Sequence, residues 1–481
     1  MTKYYITTPI YYVNDVPHVG HAYTTLAADI LARYYRLGLG EKNVFFLTGT
    51  DEHGANVAQA AEKHGKSPKE YADEVVTRFK EAWNLLNIVP DHFIRTTDRR
   101  HEKVAQNILQ KIYDNKYIRP GTYEGWYCIG CEKFLLETDL VDGKCPLHLS
   151  RKPVFQKENN YFLKLKKIVK DFDLYGKVKR DEYKIFPPKR RHEILSRLAF
   201  GVEDISISRA GVSWGIPLPW DKSQTIYVWV EALLNYFSAT QFLDEKSHFW
   251  PPDVQFMAKD IVWFHSVIWQ CLLLAAGIKE IPHTIFAHGF FTINGQKMSK
   301  SLGNVISPKD LVDRYGVDGA RYLLLSAAPF GEDGDISIKK FDTKYNANLA
   351  NGLGNLVARI EKLAELNKFD PNKMIQERNN TLLLDVGLEI QLFRLDKALE
   401  HIWGAIRGLD NYLERDRTWK KTASEAKKSL GEIIIGSEAV TSIKEIAEAL
   451  GSFMPETAKE ILRRFSQPTI KSQPPLFPRI Q

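Results

Sequence analysis

Two short polar segments constrain this chain more than any bulk property: Pro17-His18-Val19-Gly20-His21 near the start and Lys297-Met298-Ser299-Lys300-Ser301 well past the middle. The first lies where a strand gives way to a helix. Tyr4 to Val13 is rich in aromatic and β-branched residues, and Ala22, Leu26, Ile30 and Tyr34 then recur at helical spacing. Histidines at a helix N-terminus add imidazole donors to free backbone N–H groups, and Gly20 lets a ligand approach the main chain closely. A capped helix with two surface histidines, or a metal-binding pair, is the alternative. Around the second segment, Asn294-Gly295 signals a tight hairpin. Beyond it Lys297 and Lys300 sit among Ser299, Ser301 and Gly303 in a loop able to close over a triphosphate, though two lysines alone could be a solvated basic loop. Together, in this order, the segments describe two halves of one nucleotide site, which requires the chain to fold back on its own beginning.

The residues between them read as an α/β protein with an interruption. Val44-Phe45-Phe46-Leu47 is a fully apolar strand ending in Thr48-Gly49-Thr50-Asp51-Glu52-His53-Gly54, with a helical pattern from about Val57. Strand, loop and helix in succession predict a Rossmann-like parallel sheet with functional residues at the strands' carboxyl ends. Residues 1–116 form its first half. The rhythm breaks over 117–225, which holds the cysteine cluster, a Lys/Arg-rich stretch and Trp214 to Trp220, and is read as a connective insertion. It resumes over 226–325 as the second half, with strands expected at Thr225–Trp229, Val254–Met257 and Thr284–Ala287. After a linking segment, 326–345, the residues 346–481 turn helical, with Leu349, Leu353, Leu356, Ile360 and Leu363 on one face of an α-helical bundle.

Composition narrows the function classes. With 481 residues, 44% hydrophobic and 26% charged, the chain can bury several cores. A formal charge of +7 suits a polyanionic partner but is weak evidence alone. The start lacks a secretory pattern and no apolar run is long enough to span a bilayer, so a cytoplasmic protein without a membrane partner is expected. Three of its four cysteines fall in Cys128-Ile129-Gly130-Cys131 and Cys145-Pro146-Leu147-His148. Three thiolates and an imidazole in two close pairs are the ligand set of a structural zinc, one per chain, with no position left open for substrate. Cys271, in an apolar run, reads as a buried small hydrophobe.

The paired segments, with Thr8-Pro9-Ile10-Tyr11-Tyr12, Gly49 to Gly54, Tyr227-Val228-Trp229, Lys259-Asp260-Ile261 through His265 and the four-ligand knuckle, cover nearly the whole chain. On these residues the chain resembles the class I aminoacyl-tRNA synthetases, and most closely the methionyl-tRNA synthetase family. That resemblance implies ligation of L-methionine to tRNA(Met), initiator tRNA included, through an adenylate, with Mg2+ accompanying ATP. It implies catalytic roles for His18, His21, Lys297, Lys300 and Arg209, and ATP contacts from His18, Gly20, His21, Asp260, Lys297, Ser299 and Lys300. Ile10, Tyr12, Asp51, Trp229, Ala232, Tyr236, Ile261, His265 and Trp269 match the family's methionine pocket, Asp51 meeting the α-ammonium. Taken alone, Asp51 could instead cap a helix, and the aromatic residues could be core packing. Asn355, Arg359 and Trp419 match the anticodon-reading residues, with Thr418 standing where the family has proline. The absence of a recognisable appended domain favours a monomer. Rival readings are another class I synthetase, a cofactor-making nucleotidyltransferase, or a zinc-bearing RNA-binding module without catalysis; Asp51, Lys297 and Lys300 weigh against the last.

Overall fold

Val44 to Leu47 is buried on both faces, as an unbroken apolar run demands, and it lies inside a six-stranded sheet. The structure, a computed structural model, describes residues 2–135, 137, 140–146, 152–298, 303–366, 380–416 and 439–480; several of these, Cys131, Lys297 and Leu363 among them, are described by their backbone alone. Six strands, β1 (Tyr4–Tyr12), β2 (Val44–Asp51), β3 (His92–Arg95), β4 (Lys184–Phe186), β5 (Val254–Ala258) and β6 (Thr284–His288), make the sheet. Their order is β3-β2-β1-β5-β6-β4, and every neighbouring pair is parallel. The order runs in opposite directions from the β1–β5 pair, which makes that pair a topological switch point whose carboxyl ends open a crevice.

One irregularity re-aims the end of β1. Thr7 pairs with Leu47 but Ile10 pairs with Gly49, so β1 carries an extra residue at Thr8-Pro9. Proline lacks the N–H that a regular ladder would need, and the bulge absorbs it. Beyond it, Tyr12 falls in register with Asp51.

Two sequence expectations change. Thr225–Trp229 is not a strand of the main sheet: only Thr225–Ile226 is extended, pairing antiparallel with Ser208–Arg209, and a helix runs from Val228 to Leu233. Val228, Glu231 and Ala232 recur at helical spacing and all are buried, so burial along a helix face overrides the β-branched character of the start. Conversely, Lys184–Phe186, within the stretch read as inserted, forms the edge strand β4 beside β6. Three residues in a Lys/Arg-rich stretch are too few to show a period.

The chain divides into two compact units. The first, residues 1–17, 39–81 and 89–288, holds the six-stranded sheet and a four-stranded sheet in the order Lys133–Leu135, Ile118–Cys128, Val154–Leu163, Ile205–Ser206. The second, residues 18–38, 82–88 and 289–481, holds the helix that begins at Val19, a small sheet built on Phe291–Ile293, and the helices toward the C-terminus. There Leu349, Leu353, Leu356 and Ile360 are buried, as their spacing predicts. The first two ride on a π-helical stretch, Tyr345–Gly354, that continues into the α-helix Asn355–Leu366. Among the described residues no helix is long and apolar enough to cross a membrane.

Candidate active site

In the first unit the carboxyl ends of the central strands carry the predicted polar residues. Tyr12 ends β1, Asp51 ends β2, and Asp260 lies exposed in the turn after β5. Asp51 accepts the backbone N–H of His53, while its Oδ1 is buried and accepts no hydrogen bond among the described residues. Burial, and then the nearby Glu231, Glu132 and Glu52, hold its carboxyl well above the usual carboxylate range. A buried acceptor left unsatisfied is costly, so the position is suited to a cationic ligand.

The apolar wall comes from the helix Val228–Leu233 and a π-helical turn, Phe264–Ile268. Trp229 stacks on Phe264 with centroids 4.3 Å apart, and Ile10, Tyr12, Trp229 and Ile261 pack on the core that contains Tyr236 and Trp269. Ala232 is buried on the same helix as Trp229. The Nδ1 of His265 lies 3.0 Å from the carbonyl of Ile261, which can only accept, so that nitrogen carries the proton. Nε2 therefore accepts from the Tyr236 hydroxyl at 2.8 Å. Burial brings the His265 pKa down to about 4, so the ring is neutral and the wall uncharged. Trp269 is fully buried with its ring 5.9 Å from that of Tyr236.

Sequence reasoning missed the carboxylates that surround Asp51. Glu52 is clasped by Arg95 through two 2.7 Å bonds. Glu231, two residues after Trp229 on the same helix, bonds His53 at 2.8 Å and His101 at 3.1 Å, all three buried. Burial alone would lower the His53 pKa, but Glu231, with Glu102 and Glu52, more than offsets it and raises it; Glu231 is in turn lowered by the two histidines against its own burial. His53 lay inside the Gly49–Gly54 motif, whereas Glu231 and His101 carry no signal because their partners are far away in sequence. Glu132, beside the knuckle, accepts from Tyr12, Tyr127 and the backbone of Asn56. Arg209 is buried, bonds Ser206 Oγ and the Ser208 carbonyl, and lies over the Tyr227 ring at 3.9 Å.

In the second unit the described part of the second signature, Met298, lies near Gly20 of the first. His18 and His21 open the helix that begins at Val19, their rings stacked 3.8 Å apart. Gly20 N–H donates to His18 Nδ1 at 3.0 Å and His18 N–H to His21 Nδ1 at 3.3 Å, which leaves the proton of each neutral ring on Nε2. Burial first, and His18 second, hold His21 well below its ordinary value, so it stays neutral. A Cβ on Gly20 would stand 2.8 Å from His18 Cε1 and 3.9 Å from the methyl of Met298, which sits within the second signature. Val19 N–H also donates to the Ile306 carbonyl at 3.1 Å, beyond that signature. The hairpin forms as expected: Phe291–Ile293 pairs with Gln296–Lys297 across Asn294 and Gly295, both at positive φ. Ser299 and Lys300 lie outside the described residues.

The remaining candidates are partly described. Cys128 and Cys145 are buried together with Leu135 in a small cluster of their own, and Cys131 ends the 3-10 turn that follows Cys128. The side chain of Cys131, and His148, lie outside the described residues, among which no group of three or more His, Cys, Asp or Glu converges as a metal site. Cys271 is buried, and burial pushes its thiol up, which suits the inert role expected of it. Asn355 is exposed at the start of its helix, Arg359 bonds Asp410 at 2.8 Å and Glu414 at 3.0 Å, and Trp419 lies outside the described residues.

Comparison with known proteins shows the family. The tRNA synthetases class I (M) family matches residues 4–151 and 147–361. A methionine–tRNA ligase of Caldanaerobacter subterraneus is 40% identical over 96% of this chain and 73% of its own length, and one of Thermotoga maritima is 40% identical over 96% and 75%. The structure of Mycobacterium tuberculosis methionyl-tRNA synthetase in complex with methionyl-adenylate superposes with a TM-score of 0.89 at 33% identity, covering 99% of both chains. Its apo form gives 0.80 at 31% identity, over 100% of this chain and 99% of that one. By sequence and by fold, the chain belongs to the class I (M) tRNA synthetases, the family of the methionine–tRNA ligases.

Proposed function

We propose the following division of labour for the family's reaction, in which this chain joins L-methionine to tRNA through methionyl-adenylate. The methionine carboxylate attacks the α-phosphorus of ATP, the bond to the β-phosphate oxygen breaks, and pyrophosphate leaves. A terminal ribose hydroxyl of tRNA(Met), initiator tRNA included, then attacks the methionyl carbonyl carbon and AMP leaves. The nucleophile is already an anion, so protein catalysis consists of positioning and of stabilising charge on the leaving group.

The observation that carries this reading is the buried, unsatisfied Oδ1 of Asp51 at the carboxyl end of β2. Asp51 pairs with the α-ammonium and so sets the substrate's orientation. The neutral His265–Tyr236 pair, with Trp229, Ala232, Ile10 and Ile261, offers an uncharged and polarizable wall to the thioether, and Trp269 backs it. Asp260 accepts from the ATP ribose. The Nε2–H groups of His18 and His21, the close approach allowed by Gly20, and the ammonium groups of Lys297 and Lys300 with Ser299 serve the phosphates, which arrive with Mg2+ as part of the substrate. Arg209 acts on the carboxylate and α-phosphate.

A structural zinc would be held by Cys128, Cys131, Cys145 and His148. Two buried cysteines in a cluster apart from the main core suit such a clasp, which would replace the hydrophobic core that so small a knuckle lacks. Residues 1–116 and 226–325 would be the catalytic halves, 117–225 the insertion, 326–345 the link and 346–481 the helical anticodon-binding region, reading bases with Asn355, Arg359 and Trp419. The chain acts as a cytoplasmic monomer.

Exchange of labelled pyrophosphate into ATP across twenty amino acids tests the assignment: methionine alone should drive it, and leucine-driven exchange with no methionine response would overturn it. Lys300→Ala should lower the exchange rate about a hundredfold while methionine affinity stays nearly constant; equal loss of both would remove Lys300 from the phosphate site.

A further inference from the structure

Glu132 has no part in the roles above, yet it is buried, 3% exposed. It follows Cys131 directly and sits in left-handed backbone, φ 49° and ψ 40°, which turns its side chain back from the knuckle. Three neutral donors hold it. Oε1 accepts from Tyr12 Oη at 3.0 Å and from the backbone N–H of Asn56 at 2.7 Å, and Oε2 accepts from the Tyr127 hydroxyl.

The bond to Tyr12 decides what that phenol can do for a substrate. A phenol has one proton, and here Glu132 takes it; burial and Glu132 together raise the Tyr12 pKa well above its ordinary value, so the proton stays. Toward any other group Tyr12 Oη therefore offers only lone pairs. Tyr12 and Asp51 are register partners at the ends of adjacent parallel strands, and Asp51 presents the unsatisfied Oδ1. An Asp51 carboxyl that ionises when a cation pairs with it, beside a phenol oxygen whose proton is committed to Glu132, fits a group with several donors and no acceptor, which is an alkylammonium. The loop around them leaves no slack. Gly54 has a φ of 105°, and a Cβ there would fall 2.6 Å from Tyr12 Oη and 2.9 Å from Glu132 Oε1.

We propose that Glu132 is a positioning residue for the α-ammonium of methionine: it binds the Tyr12 proton, fixes the phenol oxygen as an acceptor beside Asp51, and adds a second negative charge behind it. The proposal rests on the reading of Asp51 as the ammonium's partner. It also gives the knuckle a link to substrate binding that no zinc ligand supplies.

The test is pyrophosphate exchange with Glu132→Gln, Tyr12→Phe, the double variant and Asp51→Asn, with zinc content measured alongside. Glu132→Gln should raise the methionine KM about tenfold with kcat within about twofold. Tyr12→Phe should do the same, and the double variant should be no worse than either single change. Inhibition by 4-(methylthio)butanoate, which lacks the amino group, should be unchanged by Glu132→Gln. An unaltered methionine KM, additive effects, or equal weakening of the amine-free inhibitor would overturn the proposal. If Glu132→Gln loses zinc, Tyr12→Phe alone decides, since it leaves the knuckle's residues intact: an unchanged KM sinks the idea. Asp51→Asn separates the two claims. If it leaves methionine binding intact, the Asp51 reading falls; if it abolishes binding while Glu132→Gln and Tyr12→Phe do nothing, only the role of Glu132 falls.

Discussion

Each unit of this protein buries ionisable groups, and they are treated in opposite ways. In the second unit Arg321 is fully enclosed, and its five N–H donors meet five acceptors: Asp29 Oδ2 at 2.8 Å and the carbonyls of Leu86, Asn87, Ser452 and Phe453. In the first, Asp51 shares its surroundings with three other carboxylates and keeps one oxygen without a bond among the described residues. The saturated node joins the helix that carries His18 and His21 to residues near 86 and 452, and no ligand could improve it. The unsaturated one is uncomfortable until a cation arrives. Buried charge that is fully paired marks architecture, whereas buried charge left unpaired marks a site.

The largest effect should come from breaking the saturated node. Arg321→Ala leaves Asp29 and several carbonyls buried without their donor and should destabilise the second unit by about 3–5 kcal/mol. Urea unfolding followed in that unit would read it, and a midpoint equal to that of the unchanged chain would end the contrast.

At the unsaturated site the signs should oppose each other. Asp51→Asn removes the charge that pairs with the ammonium, so kcat/KM for methionine should fall by about a hundredfold or more. At pH values high enough to ionise Asp51, the same change should stabilise the ligand-free protein by about 1–3 kcal/mol, because an unpaired buried charge is gone. Its pH dependence follows. Asp51 is raised in the folded state, so the native protein holds a proton that the unfolded chain releases, and stability declines as pH climbs from the ordinary carboxylate value through the raised one. The gain in melting temperature of Asp51→Asn over the unchanged protein should therefore grow with pH across that window, and saturating methionine should cancel it. A gap that shrinks with pH would reverse the assignment.

A smaller effect is expected where a charge is paired but exposed to exchange. Arg359 is held by Asp410 and Glu414, so Arg359→Ala should slow tRNA charging about tenfold and leave pyrophosphate exchange untouched. Equal rates of charging would remove it from RNA reading. The smallest effect is an absence: His265, brought down to about 4, should contribute no inflection to methionine binding between pH 5 and 8. An inflection near 6.5 that vanishes in Tyr236→Phe would show that the pocket histidine titrates after all.

Much of this was legible beforehand, for identifiable reasons. The central strands announce themselves because strands buried on both faces must be apolar throughout, as Val44 to Leu47 are. The signatures were readable because a turn and a helix start need particular residues locally: Asn294 and Gly295 at positive φ, Gly20 against His18. Thr225–Trp229 misled because β-branched and aromatic residues suit either state, and the burial of Val228, Glu231 and Ala232 at helical spacing chose the helix. Lys184–Phe186 was invisible because three residues have no period.

The residues around Asp51 divide along the same line. Sequence alone determined which chemical groups are present and the local conformation that carries them, since capping, turn formation and periodic burial act over a few residues. It could not determine which carboxylates would meet. The bonds from Tyr12 to Glu132, from His53 to Glu231 and from Asp29 to Arg321 cross separations of 120, 178 and 292 residues. Only the tertiary fold closes such distances, and the strength of a buried charge depends on the partners it finds there, so the satisfied node and the waiting site could be told apart only in three dimensions.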